Sequence, residues 1–463
     1  MVHLITELSK YTMLILFALY TYQGFAALNR NCSAKKQNRK FRRQICYIYL
    51  IHGNAYAVLY YSTENAQLIL FYLAQVVFFT VVLILYATVY KKAARLVVNN
   101  MCMLMVLGFV MLTRLSYDAA LRQFEIAIIA MAVTMLIPYI ISRVCMFRKL
   151  TWLYAILGIG MLGAVAVIGV VTKGAKLSFT VAGITIQPSE FIKIIFVFFV
   201  AAMLYESTEF LQVVKTTAVA AMHVVILVLS RDLGGALIFF VAYLVMLYVA
   251  TRKPLYFFGG LGAGCVASVI AYFLFQHVRV RVLAWQDPLG HYELEGNQIS
   301  NSLFAIGTGG WFGIPWFNPM PNRIPEVRKD FIFSAIAEEF GGIFALCLIL
   351  VCVCCFLMFL NIAMQMKDRF YKYVALGLGT LYGFQVFLSI GGNIKFIPST
   401  GVTLPLVSYG GSSLLSTLIL FAVIQGLYLM RQKEGGEHDG KSEPKEKNRK
   451  NRDKEEDFII IEP

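Results

Sequence analysis

Charge is scarce in this chain. Asp, Glu, Lys and Arg make up 14% of its 463 residues, where soluble domains carry roughly a quarter. With 59% hydrophobic residues and a mean hydropathy of +0.69, that shortage excludes an ordinary soluble domain and predicts a polytopic membrane protein. Acids are the scarcer sign: 26 against 41 Lys and Arg, a net charge of +15. In a soluble protein such an excess would point to nucleic acid. Here no basic stripe interleaved with aromatics lies outside the apolar segments, so no nucleic-acid partner is expected. Lys and Arg retained in cytoplasmic loops beside anionic lipid account for the charge.

Other absences narrow the chemistry. No P-loop, dinucleotide fingerprint, HExxH zinc motif or nucleophile elbow occurs, and the six histidines show no metal-ligand spacing. Cysteines fall in or beside apolar stretches, or in basic loops as Cys32 and Cys145 do. Neither of the two longest segments placed outside below contains one, which argues against a disulfide framework. The cluster Cys347, Cys352, Cys354, Cys355 has no His or acidic partner and reads as membrane-helix packing. The first apolar run lacks a basic start and a small-residue cleavage site, so no cleavable leader is expected.

What is present is a series of apolar runs. A spanning helix needs about 20 mostly apolar residues. That rule places helices near 9–28, 44–61, 67–90, 97–113, 124–142, 150–171, 189–205, 213–230, 233–250, 255–275, 332–360, 371–391 and 408–430. Segment 29–43 holds Arg30, Lys35, Lys36, Arg39, Lys40, Arg42 and Arg43 without an acid, so it is assigned inside. Alternation then puts the other basic clusters and the C-terminus inside. It puts the N-terminus and segments 62–66, 172–188, 230–232, 276–331 and 392–407 outside. The tail 431–463 is highly charged and almost free of aliphatics until Phe458, and is expected to be disordered.

Four polar segments share the predicted outer side and outline one candidate site. In Gln187-Pro188-Ser189-Glu190, Pro188 and the residues after it suit the first turn of a helix. Glu190 and Lys193 share a face, either as a self-neutralising pair or as a functional one. Lys173 and Lys176, in the turn before, put cations on the side where they are disfavoured. Asp232 suits a helix N-cap, but capping does not explain the adjacent Arg231. Asp287, in Asp-Pro-Leu-Gly290, taken alone is a turn residue. Residues 297–306 have the spacing of an amphipathic helix lying on or re-entering the membrane, and Gly-rich 307–313 would let the backbone approach a ligand closely. Asp330 suits a cap. Glu338 and Glu339 lie about two turns deep, where at least one should meet a cation or a polar cavity, with Lys193 a candidate partner. From Lys395 to Ser413 a Pro/Gly-broken segment enters the last helix, as tolerated only where it lines protein or a watery cavity. Read from these residues alone, the outer face suits a transporter vestibule and an interfacial enzyme equally well.

These motifs resemble the SEDS family (shape, elongation, division and sporulation; FtsW/RodA/SpoVE-like) over residues 98–430. Gln187 to Glu190 is similar to its QPSE, and Asp232-Leu233-Gly234 to its DLG. Asp330 to Phe333 with Ala337-Glu338-Glu339 is similar to DFIF…AEE. Pro398, Thr400, Gly401, Pro405 and Ser408 to Ser413 follow its PxTGxxLPxxSYGGSS. The resemblance implies an all-α fold: a ten-helix core over 97–430, about three additional helices within 1–96, and the tail 431–463. It implies a peptidoglycan glycosyltransferase polymerising lipid II, with a class B penicillin-binding protein as partner. Asp287, in the family's D-P-x-G context with Gln298 downstream, carries over as the catalytic residue. The substrate site then takes in Lys176, Gln187, Ser189, Glu190, Lys193, Arg231, Asp232, Gln298, Asp330, Glu338, Glu339, Lys395, Thr400, Ser408 and Ser412. Lys176, Lys193 and Arg231, with room for a divalent cation (Mg or Mn), would face the departing pyrophosphate. Two other readings are a lipid-linked precursor flippase or transporter, and a non-catalytic scaffold of a cell-wall synthase. The chain departs from the pattern in its added helices, in Arg231 where the family commonly has Pro, and over 314–329.

Overall fold

In lipid, backbone N–H and C=O groups must be satisfied within their own segment, and the apolar runs accordingly fold as helices. The structure, a computed structural model, describes residues 2–28, 34–143, 146–172, 175–181, 184–293, 296–316 and 321–442. Helices α1 (Val2–Leu28), α2 (Ala34–Thr63) and α3 (Gln67–Thr88) precede α4 (Arg95–Leu115), α5 (Tyr117–Thr134), α6 (Ile137–Arg143) and α7 (Thr151–Ile168). Then come α8 (Pro188–Glu206), α9 (Phe210–Leu229), α10 (Leu233–Thr251), α11 (Pro254–Leu274), α12 (Gln276–Gln286) and α13 (Gly296–Gly309). The last three are α14 (Ile332–Gln365), α15 (Arg369–Asn393) and α16 (Gly411–Ser442). Eleven spans among the described residues are long and apolar enough to cross a membrane, with α5 and α6 counted as one. The chain is a multi-pass membrane protein. The two remaining expected spans, 44–61 and 150–171, are helical as α2 and α7, but α2 begins in the basic stretch and α7 stops at Ile168.

Three local breaks have identifiable causes. Pro138 has no N–H to give Thr134, and the chain turns between α5 and α6 at that point. The Tyr90 hydroxyl donates to the Met135 carbonyl at 2.5 Å. In α14, Gly341 sits at φ 85°, ψ 171°, a region open essentially to glycine alone, and interrupts the helix. From 394 to 410 the chain is non-helical, and Leu404 to Ser408 are buried within the bundle. Gln123 of α5 satisfies that backbone, donating to the Ser408 carbonyl at 3.2 Å and accepting from the Gly410 N–H at 3.1 Å.

Several expectations change. The turn at 172–190 contains three short antiparallel strands, β1 (Val170–Thr172), β2 (Ala175–Val181) and β3 (Ile184–Ile186), in order β1-β2-β3. Alternating Leu-Ser-Phe-Thr-Val and Ile-Thr-Ile carry the period of two and the β-branched residues that a ribbon wants, so the helical bundle carries one small sheet. α13 has the expected amphipathic form, and its buried face of Ile299, Ser302 and Ala305 packs along α14 and touches α15. α16 continues to Ser442, past the expected boundary at 430, so 431–442 are helical rather than disordered. Residues 443–463 lie outside the described residues, as do Cys32, Cys145 and Lys173.

The added helices are not peripheral. α4 is buried along its whole apolar length, with α2, α3, α5 and α14 against it. Polar bonds join α1 and α2 to it: Tyr20 to Asn100 at 2.8 Å, Asn99 to Gln44 at 3.1 Å, and Tyr56 to Thr113 at 3.0 Å. Small and polar side chains hold helices together in lipid, where burial of apolar surface cannot.

Candidate functional site

Four polar segments distant in sequence converge at one end of the bundle. Asp232 caps α10, accepting the Gly235 N–H at 2.8 Å, as its sequence context predicts. Its other oxygen accepts the Ser189 hydroxyl at 3.1 Å; Gln187 donates to that hydroxyl at 3.2 Å, and the Gln187 backbone N–H donates to Ser412 at 3.0 Å. One chain of bonds therefore ties α8, α10 and the start of α16. Removal of water by surrounding protein atoms raises the Asp232 carboxyl above its ordinary value, and the Gly235 N–H and the Ser189 hydroxyl offset this in part.

Lys193 lies one turn further into α8, buried. Its ammonium donates to Glu190 at 2.6 Å and to Gln385 of α15 at 2.8 Å, and Ser416 of α16 donates to the same Glu190 oxygen at 2.9 Å. The cation is therefore engaged here and is not the partner of the α14 carboxylates. That partner is Arg114 of α4, whose Nε lies 3.0 Å from Glu339 Oε1, with Glu339 fully buried. The separation makes an ion pair. Arg114 was legible only as a lone basic residue in the last turn of an apolar helix.

α12 docks on the broken segment before α16. Trp285 donates to the Lys395 carbonyl at 3.0 Å, Lys395 reaches back to the Gln286 carbonyl at 3.4 Å, and Arg281 donates to the Ser399 carbonyl at 3.5 Å. Burial holds the His277 imidazole below its ordinary value, and Arg231 and Arg281 push it the same way. Asp287 follows directly, at the C-terminal cap of α12, exposed, with Oδ1 accepting the Gly290 N–H at 3.0 Å. Gln298 stands half-buried in the first turn of α13. Thr400 is half-buried beside Gly234 of α10. Ser408 is buried and its hydroxyl accepts the Leu404 N–H at 2.9 Å. Lys176 lies in β2 opposite Val171.

One expectation fails here. Asp330 does not cap α14; the cap position is Phe331, with no side-chain bond. Turns from Glu326 to Lys329 and Asp330 carry the chain past the helix start, and the Asp330 carboxylate lies toward Gly401 and Arg281. Of the glycines in 307–313, Gly309 and Gly313 fit against α14, while a Cβ on Gly307 or Gly310 would meet nothing within 4 Å. A Cβ on Gly309 would lie 2.2 Å from the Ala337 carbonyl, and one on Gly313 2.3 Å from that of Glu339. Sequence reasoning also missed a buried network. Ser302 and Ser334 lie 2.5 Å apart, both bond Asn393 at 2.8 Å, and Asn393 donates to the Asp330 carbonyl at 2.8 Å. Among the described residues no group of three or more His, Cys, Asp or Glu side chains gathers to hold a metal ion.

The profile of the FtsW/RodA/SpoVE family, described as a cell cycle protein, matches residues 94–433. The chain belongs to that family. Among curated relatives of this FtsW/RodA/SpoVE member, Peptidoglycan glycosyltransferase RodA of Mycobacterium bovis is 34% identical over 268 residues, covering 54% of this chain and 57% of the relative. The chain thus spans little more than half the length of that relative. Probable peptidoglycan glycosyltransferase FtsW of Saccharophagus degradans is 31% identical over 361 residues, covering 73% of this chain and 93% of the relative. In fold, the chain is similar to a structure described as structural coordination of polymerization and crosslinking by a peptidoglycan synthase complex. The TM-score is 0.62 at 24% identity, over 72% of this chain and 97% of that one. Thermus thermophilus RodA follows with TM-score 0.52 at 22% identity, over 72% and 95%. The family match leaves α1, α2 and α3 outside it.

Proposed function

We propose that this chain is an inverting peptidoglycan glycosyltransferase that polymerises lipid II on the outer face of the bacterial cytoplasmic membrane. The N-terminus would then be outside and the C-terminus inside. Asp287 carries the reading. It is an exposed carboxylate at the end of a helix whose Trp285 and Arg281 grip the Lys395–Ser399 backbone. It accepts the proton of the GlcNAc 4-hydroxyl of an acceptor. The oxygen attacks the anomeric carbon of the donor, the bond from that carbon to the pyrophosphate oxygen breaks, and a β-1,4 link forms with inversion. Undecaprenyl pyrophosphate leaves with the electron pair. Arg231, Arg281 and Lys395 supply positive charge around the leaving group, a role Lys193 cannot share while it holds Glu190 and Gln385. Residues 1–96 form an added module, and a single-pass class B penicillin-binding protein is the expected partner that crosslinks the product.

Gly290 offers a test of the carboxylate's placement. A Cβ there would meet Asp287 Oδ2 at 2.2 Å. The obstacle is the end of a flexible side chain, so Gly290→Ala should fold and insert normally while turning the carboxylate aside. About a tenfold loss of polymerisation rate is expected, the scale of a small misplacement of a base. An unchanged rate would show that the Asp287 rotamer is unimportant.

The reaction itself is tested by giving the purified chain labelled lipid II, with and without a class B penicillin-binding protein. Glycan chains made by the wild-type chain are the expected product. Transfer of lipid II across liposomes without polymer would replace the reading with a flippase, and polymer made by the partner alone would replace it with a scaffold.

A further inference from the structure

The family match begins at residue 94, so nothing in it gives the three helices before α4 a role, yet one of them reaches the candidate site. Lys10 of α1 is 4% exposed, and its ammonium donates to the Gly313 carbonyl at 3.0 Å, with Glu7 3.2 Å away. A buried ammonium in an apolar helix is costly, and Met or Leu would pack there without that cost. Its acceptor is no ordinary loop carbonyl. Gly341 breaks α14, and the orphaned backbone there is satisfied by 310–314: Ile314 N–H to the Glu338 carbonyl at 3.0 Å, Gly342 N–H to Gly310 at 2.8 Å, Ile343 N–H to Trp311 at 3.3 Å. Tyr11 of α1 packs its ring on Phe312, centroids 6.1 Å apart. The clamped loop is the far end of α13, whose near end follows the Asp287 turn, where the Gly296 N–H bonds His291 and the His291 N–H bonds Asp287.

We propose, resting on the glycosyltransferase reading, that Lys10 of the added helix α1 is a positioning residue. By holding the Gly313 carbonyl it fixes loop 309–313 against the broken turn of α14, and so sets both the Glu338–Glu339 turn and the α13 rod whose near end follows the Asp287 turn. The added helices are then part of the working unit rather than an appendage to it.

The test uses the full chain in lipid nanodiscs with four variants, read by amide hydrogen exchange at Ile314 and Gly342 and by lipid II polymerisation. Lys10→Met should speed exchange at both amides about tenfold, as expected for losing one charge-assisted hydrogen bond. It should lower kcat by about the same factor, with KM within about twofold, since the ligand contacts are untouched. Lys10→Arg should recover most of both. Tyr20→Phe, which removes a different bond between α1 and the core, should change neither. If Lys10→Met does not accumulate in the membrane, Lys10→Gln is read by the same two measurements. Parental exchange and rate in Lys10→Met would overturn the proposal, as would a Lys10→Arg no better than Lys10→Met. If the wild-type chain makes no polymer, the glycosyltransferase reading fails; exchange at the two amides then decides the clamp, faster upholding it and unchanged overturning it.

Discussion

Asp287→Asn is expected to polymerise lipid II about 10²–10⁴-fold more slowly than the parent, the contribution of a positioned general base. The substitution is informative because it changes so little else. Asn keeps an oxygen able to accept the Gly290 N–H that Asp287 now takes at 3.0 Å, so the turn before α13 survives. Trp285 and Arg281 still anchor α12 to the backbone at Lys395 and Ser399. What disappears is the capacity to take a proton from the acceptor hydroxyl. The measurement is the initial rate of glycan formation by protein shown to insert at parental levels. A parental rate would remove Asp287 from the base role. A loss matched by failed insertion would be a folding effect, which the unchanged turn argues against. Gly290→Ala is the companion case, since it leaves the carboxylate chemically intact and moves it.

The helices and the starts of α8 and α10 were legible because their signals are local, although the Asp330 cap was not. Twenty apolar residues make a span, Pro188 starts α8, and Asp232 caps α10, each readable within a few residues of the event. The meeting of the polar turns was legible for a different reason, since few charges can be tolerated in such a chain and those present had to share a wet end. Partner choice was not legible. Glu339 meets Arg114 on a helix more than 200 residues earlier in sequence, while Lys193 goes to Glu190 and Gln385; packing between helices decides this, and periodicity carries no trace of it. The glycines of 307–313 were legible as points of close backbone approach, but not that α14 is what approaches Gly309 and Gly313, since a ligand and a broken helix make the same demand. Lys10 was invisible for the same reason as Arg114: its value lies in the carbonyl that the fold brings to it.

The Arg114–Glu339 pair should show the largest stability effect in the molecule. Glu339 is fully buried, Arg114 is 12% exposed, and their charged atoms are 3.0 Å apart. Removing Arg114 leaves the buried Glu339 charge without its counter-charge, which costs about 3–5 kcal/mol in buried pairs. Arg114→Met is therefore expected to unfold the protein at much lower temperature or denaturant, whereas Glu339→Leu should cost less, since Glu338 still faces Arg114. Replacing both by apolar residues of similar size removes the stranded charge, so the double variant should return to within about 1 kcal/mol of the parent. Losses that simply add in the double variant would mean that the two groups do not interact in the membrane. Polymerisation separates structure from chemistry in the same set. The turn bearing Glu339 also bears Glu338 and receives the 310–314 backbone. If the pair does no more than hold α4 to α14, the double variant recovers its rate along with its stability. If the charge on that turn also contributes to the site, as its place among the converging segments leads us to expect, stability returns and the rate does not.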